Sequence, residues 1–309
     1  MKAKKLNQIQ DTGNVRYSSG ISGFDKILGT DDLTKKSGFV DGEIIMFAGM
    51  PGAGKSTLML QIANNMAQAG HKILYTTGEE SLGQVKGRAN RIKTLNSSVY
   101  CSDSINLEEF YKVADELDPK LIILDSLQMI FSNGCRGSQG SPSQIEFCAR
   151  SLIKYAKDTN RIIILIAHTT KSGVIAGAVR IQFLVDANFR MFKDTEENVR
   201  TVFAEKNRFG FSDVAWRARM TPKGLLDVNE KRIENKALEV KKEIKKDEGD
   251  IDTVVLKYDQ IKAVLDKTVI NRYAINSDVR WLYEQIYGRI EAKLHKVNKF
   301  DITIEVKKI

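Results

Sequence analysis

The stretch Gly49-Met50-Pro51-Gly52-Ala53-Gly54-Lys55-Ser56-Thr57 constrains this chain more than any other. It fits the pattern G-x-x-x-x-G-K-[ST], whose glycines let backbone N–H groups close around phosphate oxygens. The flanks suit the pattern. Residues 43–48 (EIIMFA) read as a short buried strand entering the loop, and the spacing predicts a helix over 57–68 leaving it. The start of such a helix adds partial positive charge to the phosphate site. In a loop of this type Lys55 reaches the β- and γ-phosphates and Ser56 ligates Mg²⁺. The expected ligands are therefore ATP and Mg²⁺.

Acidic and polar residues then recur at the ends of apolar runs. Residues 72–77 (KILYTT) predict a second strand, which ends in Gly78-Glu79-Glu80-Ser81. Carboxylates at the C-terminal end of a parallel strand sit where open α/β sheets bind ligands. Glu79 is the candidate for activating the attacking water and Glu80 the alternative. The residues alone equally allow both to cap a helix predicted over 82–93. Residues 98–101 predict a third strand and 106–117 a helix with Asn106 near its cap. Residues 120–126 (KLIILDS) are an apolar strand delivering Asp125, about 70 residues after the phosphate loop. That is the arrangement that places one carboxylate beside the metal.

Residues 131–143 (FSNGCRGSQGSPS) form a long Gly/Ser-rich loop carrying Arg136, and such loops are usually functional or mobile. A helix is predicted over 142–159 and a buried strand over 161–167, ending in His168-Thr169-Thr170-Lys171. His168 reads either as a γ-phosphate sensor or as a satisfied core histidine. Residues 169–180 make a second glycine-bearing loop with Lys171 and Arg180. Segments 183–192, 199–206, 215–220 and 225–228 predict an antiparallel tail to the sheet. Lys206 and Arg208 point the same way in extended chain. They read either as completing a neighbouring subunit's site or as two solvated charges.

Composition narrows the class. A 42% hydrophobic content supplies a core for one large or two smaller domains in 309 residues. No run approaches the roughly 18 apolar residues of a membrane span, and residues 1–10 lack the apolar run of a signal peptide. A cytoplasmic location and no membrane partner are expected. Cys101, Cys135 and Cys148 are too widely spaced for a disulfide framework or a C-x-x-C metal pair. A net charge of +9 permits a polyanionic partner.

Taken together, SSGISGFDKILG, GMPGAGKST, YTTGEES, LIILDSLQ, GSPSQIEFCARSL, HTTKSGVIAG and EKNRFG resemble the ATPase core of the bacterial RadA/Sms DNA-repair proteins. These are RecA-fold enzymes related to DnaB-type helicases and, more distantly, to KaiC. KNRFG is the most discriminating stretch, and the resemblance covers residues 17–228. It implies an α/β, RecA-like P-loop core with a mostly parallel sheet, in a homo-oligomeric and hexameric ring with ATP between subunits. It assigns catalysis to Lys55, Glu79 and His168, metal binding to Ser56 and Asp125, and trans-acting fingers to Lys206 and Arg208. The two loops face single-stranded DNA, with Arg136, Lys171 and Arg180 as contacts. The expected function is an ATP-dependent motor in DNA recombination, branch migration or repair. A DnaB-like replicative helicase and a KaiC-like nucleotide-gated scaffold are the alternatives. No cysteine precedes Cys101, so the family's four-cysteine zinc module is not expected. About 80 residues after Val228 are too few for its Lon-like domain. A compact or phage-borne version of the motor fits these departures.

The expected organisation is a flexible tail (1–17), the ATPase domain (18–229), a charged helical linker (230–252) and a small α-rich domain (253–309). In the last, helices are predicted over 254–265 and 278–297 and a strand over 300–307. Its basic, aromatic-bearing helices read either as a surface for bases or for replication or recombination proteins, or as the aromatic core of the small domain itself.

Overall fold

The computed structural model describes residue 5, residues 15–169, 180–194 and 198–228, and the strands 253–257 and 301–305. The chain divides into two compact units, residues 1–212 with 216–227 and residues 213–215 with 228–309.

The first unit opens with strand β1 (Arg16–Tyr17), helix α1 (Ser22–Leu28) and strand β2 (Phe39–Val40). β1 pairs antiparallel with β2, and Arg16 donates to the Gly38 carbonyl at 2.9 Å. Arg16 and Tyr17 therefore belong to the fold and not to a tail. There follow β3 (Ile44–Gly49), α2 (Lys55–Gln68), β4 (Ile73–Thr77), α3 (Leu82–Ile92), β5 (Val99–Ser102), α4 (Leu107–Leu117) and β6 (Leu121–Asp125). A single 3-10 turn (Leu127–Met129) precedes α5 (Pro142–Thr159), β7 (Ile162–His168), α6 (Ile181–Leu184), β8 (Ala187–Lys193), β9 (Val199–Asn207), β10 (Val214–Thr221) and β11 (Gly224–Asp227).

Nine strands form one sheet in the order β11-β10-β9-β8-β3-β7-β6-β4-β5. The pairs from β8 through β3, β7, β6 and β4 to β5 are parallel. β8–β9 and β10–β11 are antiparallel. The central strands are apolar along their length because both faces are covered. Alternate residues of β3 serve opposite faces. Ile44, Met46 and Ala48 join Phe110, Ile145, Leu152 and Leu165 in a core beneath α4 and α5. Phe47 faces the other way, toward Phe24, whose ring also meets Phe39, Phe189 and Trp216 at centroid distances of 5.5–6.3 Å. Each such aromatic pair adds about 0.5–1.5 kcal/mol beyond the area it buries.

Capping sets the helix starts. Ser81 and Gln84 form a capping box at α3, the Asn106 side chain caps α4, and the Ser141 side chain caps α5 with Pro142 following. α2 starts at Lys55, two residues before the predicted start, because Gly54 in the left-handed region at φ 108° is its N-cap. The predicted strand over 183–192 begins instead with the helical turn α6, and extended chain resumes only at Ala187. β8 is also the last parallel member of the sheet, so the antiparallel tail starts with β9.

In the second unit β12 (Thr253–Lys257) pairs antiparallel with β13 (Asp301–Glu305). The strand predicted over 300–307 is present, whereas the first residues of the helix predicted over 254–265 form a strand. The expected linker 230–252 and the helix expected over 278–297 lie outside the described residues.

Candidate active site

Register brings the site together. Gly49 pairs with His168 across β3 and β7, and Thr77 pairs with Asp125 across β4 and β6. Four strands thus end side by side at their C-terminal edge, where α2 also begins. The glycines make the loop between β3 and α2 possible. Gly52 and Gly54 both hold positive φ, at 73° and 108°. α3, α4 and α5 are capped by side chains, but α2 has no side-chain cap at Gly54. Its first N–H groups are a ready anion site, which fits a phosphate chain.

Lys55 is buried at 4% exposure on the first turn of α2. Its ammonium donates to the carbonyls of Gly49 at 2.8 Å and Met50 at 3.2 Å, and lies 3.3 Å from His168 Nδ1. Burial pulls its pKa below the usual lysine value, opposed by the charges of Asp125 and Glu79. Arg200 of β9 braces the loop by donating to the Ala53 carbonyl at 2.8 Å.

Glu79 follows β4 on a turn in which the Thr77 hydroxyl accepts from the N–H groups of Glu79 (3.4 Å) and Glu80 (3.2 Å). The Glu79 carboxylate meets His168 Nε2 at 2.7 Å and accepts from the Ser126 hydroxyl. The His168 hydrogen bond, aided by Ser126 and against the cost of burial, holds its pKa below the usual carboxylate range. Glu80 turns away and pairs with Arg88 on α3. Asp125 is buried at the end of β6 and accepts from the Tyr75 hydroxyl at 2.6 Å. Burial, then the neighbouring Asp125 charge, pushes the Tyr75 pKa far up, so the phenol keeps its proton.

Among the described residues, ligand atoms of Glu79, Asp125 and His168 lie within 4.8 Å of one another. Asp125 offers a buried carboxylate oriented by a phenol, and Ser56 stands next to Lys55 on the same helix turn. Carboxylate and hydroxyl oxygens fit Mg²⁺, which prefers oxygen donors and shares its shell with phosphates.

The structure does not bring the finger candidates to this cluster. Lys206 and Arg208 lie at the opposite edge of the same sheet. Gly49 pairs with Met191 on β8, whereas Asn207 pairs with Ala187, four residues earlier and about 13 Å away. Lys206 Nζ donates to the carbonyls of Phe183 at 2.9 Å and Val185 at 2.7 Å. Burial and then repulsion from Arg208 lower its pKa. Arg208 pairs with the buried Asp186 at 3.1 Å. The turn between them is fastened to the start of the domain. Asn207 Nδ2 donates to the carbonyls of Ile27 and Leu28, both at 3.0 Å. Gly29 and Gly210 pack so closely that a Cβ on Gly29 would stand 2.2 Å from the Phe209 carbonyl oxygen.

Of the expected nucleic-acid contacts, Arg136 is exposed on the loop before α5 and Arg180 is exposed at the start of α6. Lys171 lies outside the described residues. Tyr75, Ser126, Arg200 and Asp186 were not legible as site residues. Each acts through a partner at least 22 residues distant.

A family model for the AAA domain matches residues 31–174. The DNA repair protein RadA of Haemophilus influenzae is 35% identical over 227 residues, or 74% of this chain. The chain spans about half of that relative, 48% of its length. A KaiC-like protein of Pyrococcus horikoshii superposes with a TM-score of 0.55 at 18% identity, covering 70% of this chain and 100% of the other. A second solved structure, itself an ATPase domain, superposes with a TM-score of 0.59 at 15% identity, covering 71% of this chain and 93% of the other. Among the described residues no helix is long and apolar enough to cross a membrane. By its motifs, its sheet order and these likenesses, the chain is RadA-like in sequence and carries a RecA-like ATPase fold.

Proposed function

We propose that this chain is an ATP-hydrolysing motor that acts on single-stranded DNA in recombination or repair, with each site completed by a second copy in a ring. The observation that carries this is the convergence of Lys55, Glu79, Asp125 and His168 on the uncapped start of α2. Lys55 and the loop N–H groups hold the triphosphate. When bound beside Ser56 and Asp125, Mg²⁺ neutralises charge on the phosphate oxygens. Glu79, ionised at neutral pH, takes a proton from the attacking water as its oxygen bonds to the γ-phosphorus and ADP leaves. His168 links Glu79 to Lys55 and so reports on the γ-phosphate. Lys206 and Arg208, about 13 Å along the sheet from their own phosphate loop, serve the neighbour's site and stabilise transition-state charge there. Arg136, Lys171 and Arg180 bind the DNA backbone, in a salt-dependent and largely sequence-independent way. Residues 16–229 carry the motor, and residues 253–309 serve replication or recombination proteins.

Steady-state ATP hydrolysis with and without single-stranded DNA tests this, using Lys55→Ala as the blank. Stimulation by single strands is expected. Hydrolysis indifferent to DNA would refute the motor and favour a nucleotide-gated scaffold. In mixtures, Arg208→Ala and Glu79→Gln should restore some of each other's lost turnover, because a mixed interface can carry one intact site. No rescue at any ratio would refute the shared site.

A further inference from the structure

The loop before α5 is held firmly in place. Gln144, buried on α5, accepts from the Ser132 N–H at 3.0 Å and donates to the carbonyls of Ser132 at 3.0 Å and Cys135 at 2.7 Å. Residues 126–130 link this stapled loop to the Glu79 carboxylate. At one end of the link the Ser126 hydroxyl holds Glu79. At the other, Gln139 donates to the Met129 carbonyl. Gly140 lies against the Gln128 carbonyl oxygen, which a Cβ on Gly140 would meet at 3.5 Å. Gly78, the residue before Glu79, packs on Met129 so closely that a Cβ there would stand 2.6 Å from the Met129 Cβ.

In the middle of the link the Gln128 side chain is anomalous. Both its amide nitrogen and its amide oxygen are sealed from solvent, and neither has a hydrogen-bond partner among the described residues. A carboxamide has two donor hydrogens and an acceptor oxygen, and leaving them buried and unpaired is unfavourable. A leucine of similar size would fill the space without that cost. The amide is therefore suited to a second arrangement of residues 126–130, in which it is paired.

We propose that Gln128 is a positioning residue that couples the nucleotide pocket to the 131–141 loop. Its amide is unpaired while Ser126 holds Glu79. It gains a main-chain partner in a second arrangement of the 126–130 link, reached when Ser126 lets Glu79 go. Residues 139 and 140 shift with the link because they rest on it, while Gln144 keeps Ser132 and Cys135 on α5. This rests on the reading of that loop as the single-strand-facing surface.

The test replaces Gln128 by Leu and, as a second apolar variant with a more adaptable side chain, by Met. Without nucleotide or DNA, Gln128→Leu or Gln128→Met should raise the melting temperature by about 2–4 °C, because an unpaired amide is removed. A fall in both variants would show that the amide is already paired and would overturn the proposal. In hydrolysis assays both variants should keep the DNA-free rate and lose its stimulation by single-stranded DNA. Stimulation equal to wild type would also overturn it. If wild type hydrolyses ATP but ignores single strands, the reading of the loop fails, and the inference with it. If wild type responds and the variants respond equally, the inference alone fails.

Discussion

Glu43, at the entry to β3, should make the protein less stable as pH rises. It is fully buried, and burial, with the nearby Asp186 charge adding to it, pushes its pKa from 4.5 up to about 8. One carboxylate oxygen accepts from the Val40 N–H at 2.9 Å, and the other has no partner among the described residues. The folded protein therefore holds a proton here that the unfolded chain releases above about pH 4.5. The sign follows. The stabilisation is complete below the unfolded pKa, and it is lost as pH rises through the folded pKa. The whole shift corresponds to on the order of 5 kcal/mol at 1.36 kcal/mol per pH unit. Between pH 6 and pH 8 the loss is about 2 kcal/mol. For a domain of this size that is a fall in melting temperature of about 4–8 °C. Glu43→Gln keeps an oxygen for Val40 and cannot ionise. Melting curves of wild type and Glu43→Gln across this range would differ in slope, and the histidines, common to both, cancel. Parallel profiles would refute the reasoning.

Other expectations concern the site directly. Lys55→Ala removes the buried ammonium and should abolish ATP turnover, and retained turnover measured by phosphate release would remove the phosphate-loop assignment. Tyr75→Phe deletes the hydroxyl that orients Asp125. A Mg²⁺ titration of hydrolysis should then show a requirement raised by about tenfold, as for other lost outer-sphere partners, and an unchanged half-saturation would argue against it. Arg136→Ala should weaken single-strand binding and reduce the salt slope by about 0.7, the share of one phosphate contact, whereas an identical slope would place the DNA path elsewhere.

Local pattern carried much of this fold because its central elements are local. Apolar runs ending in Gly49, Thr77, Asp125 and His168 announce buried strands with polar ends, and β6 and β7 lie within one residue of their predicted bounds. Contacts far apart in sequence were not legible. β12 was expected as the start of a helix because its apolar spacing suits one. Its pairing partner, β13, lies 44 residues beyond its end. The second half of the turn at Ile181–Leu184 was expected as strand, yet the Phe183 and Val185 carbonyls are oriented toward Lys206 from β9. At the site, residue types suggested Glu79 but could not separate it from Glu80. Geometry places one beside His168 and the other on Arg88.

Asp186 divides the two cations of the KNRFG stretch into a fixed one and a releasable one. Its carboxylate is satisfied several times over, by the Ile44 N–H at 3.1 Å, by Lys157 and by Arg208. If Arg208 turned to a neighbour's site, as proposed, the first two contacts would remain and the buried Asp186 charge would not be orphaned. Lys206 has no such freedom, because two carbonyls of its own chain hold it. Lys206 is thus held by main-chain carbonyls of its own chain, and Arg208 by a single carboxylate that has other partners. Because the Ile44 N–H belongs to the strand that ends in the phosphate loop, Asp186 ties the turn that carries both cations to the root of that strand.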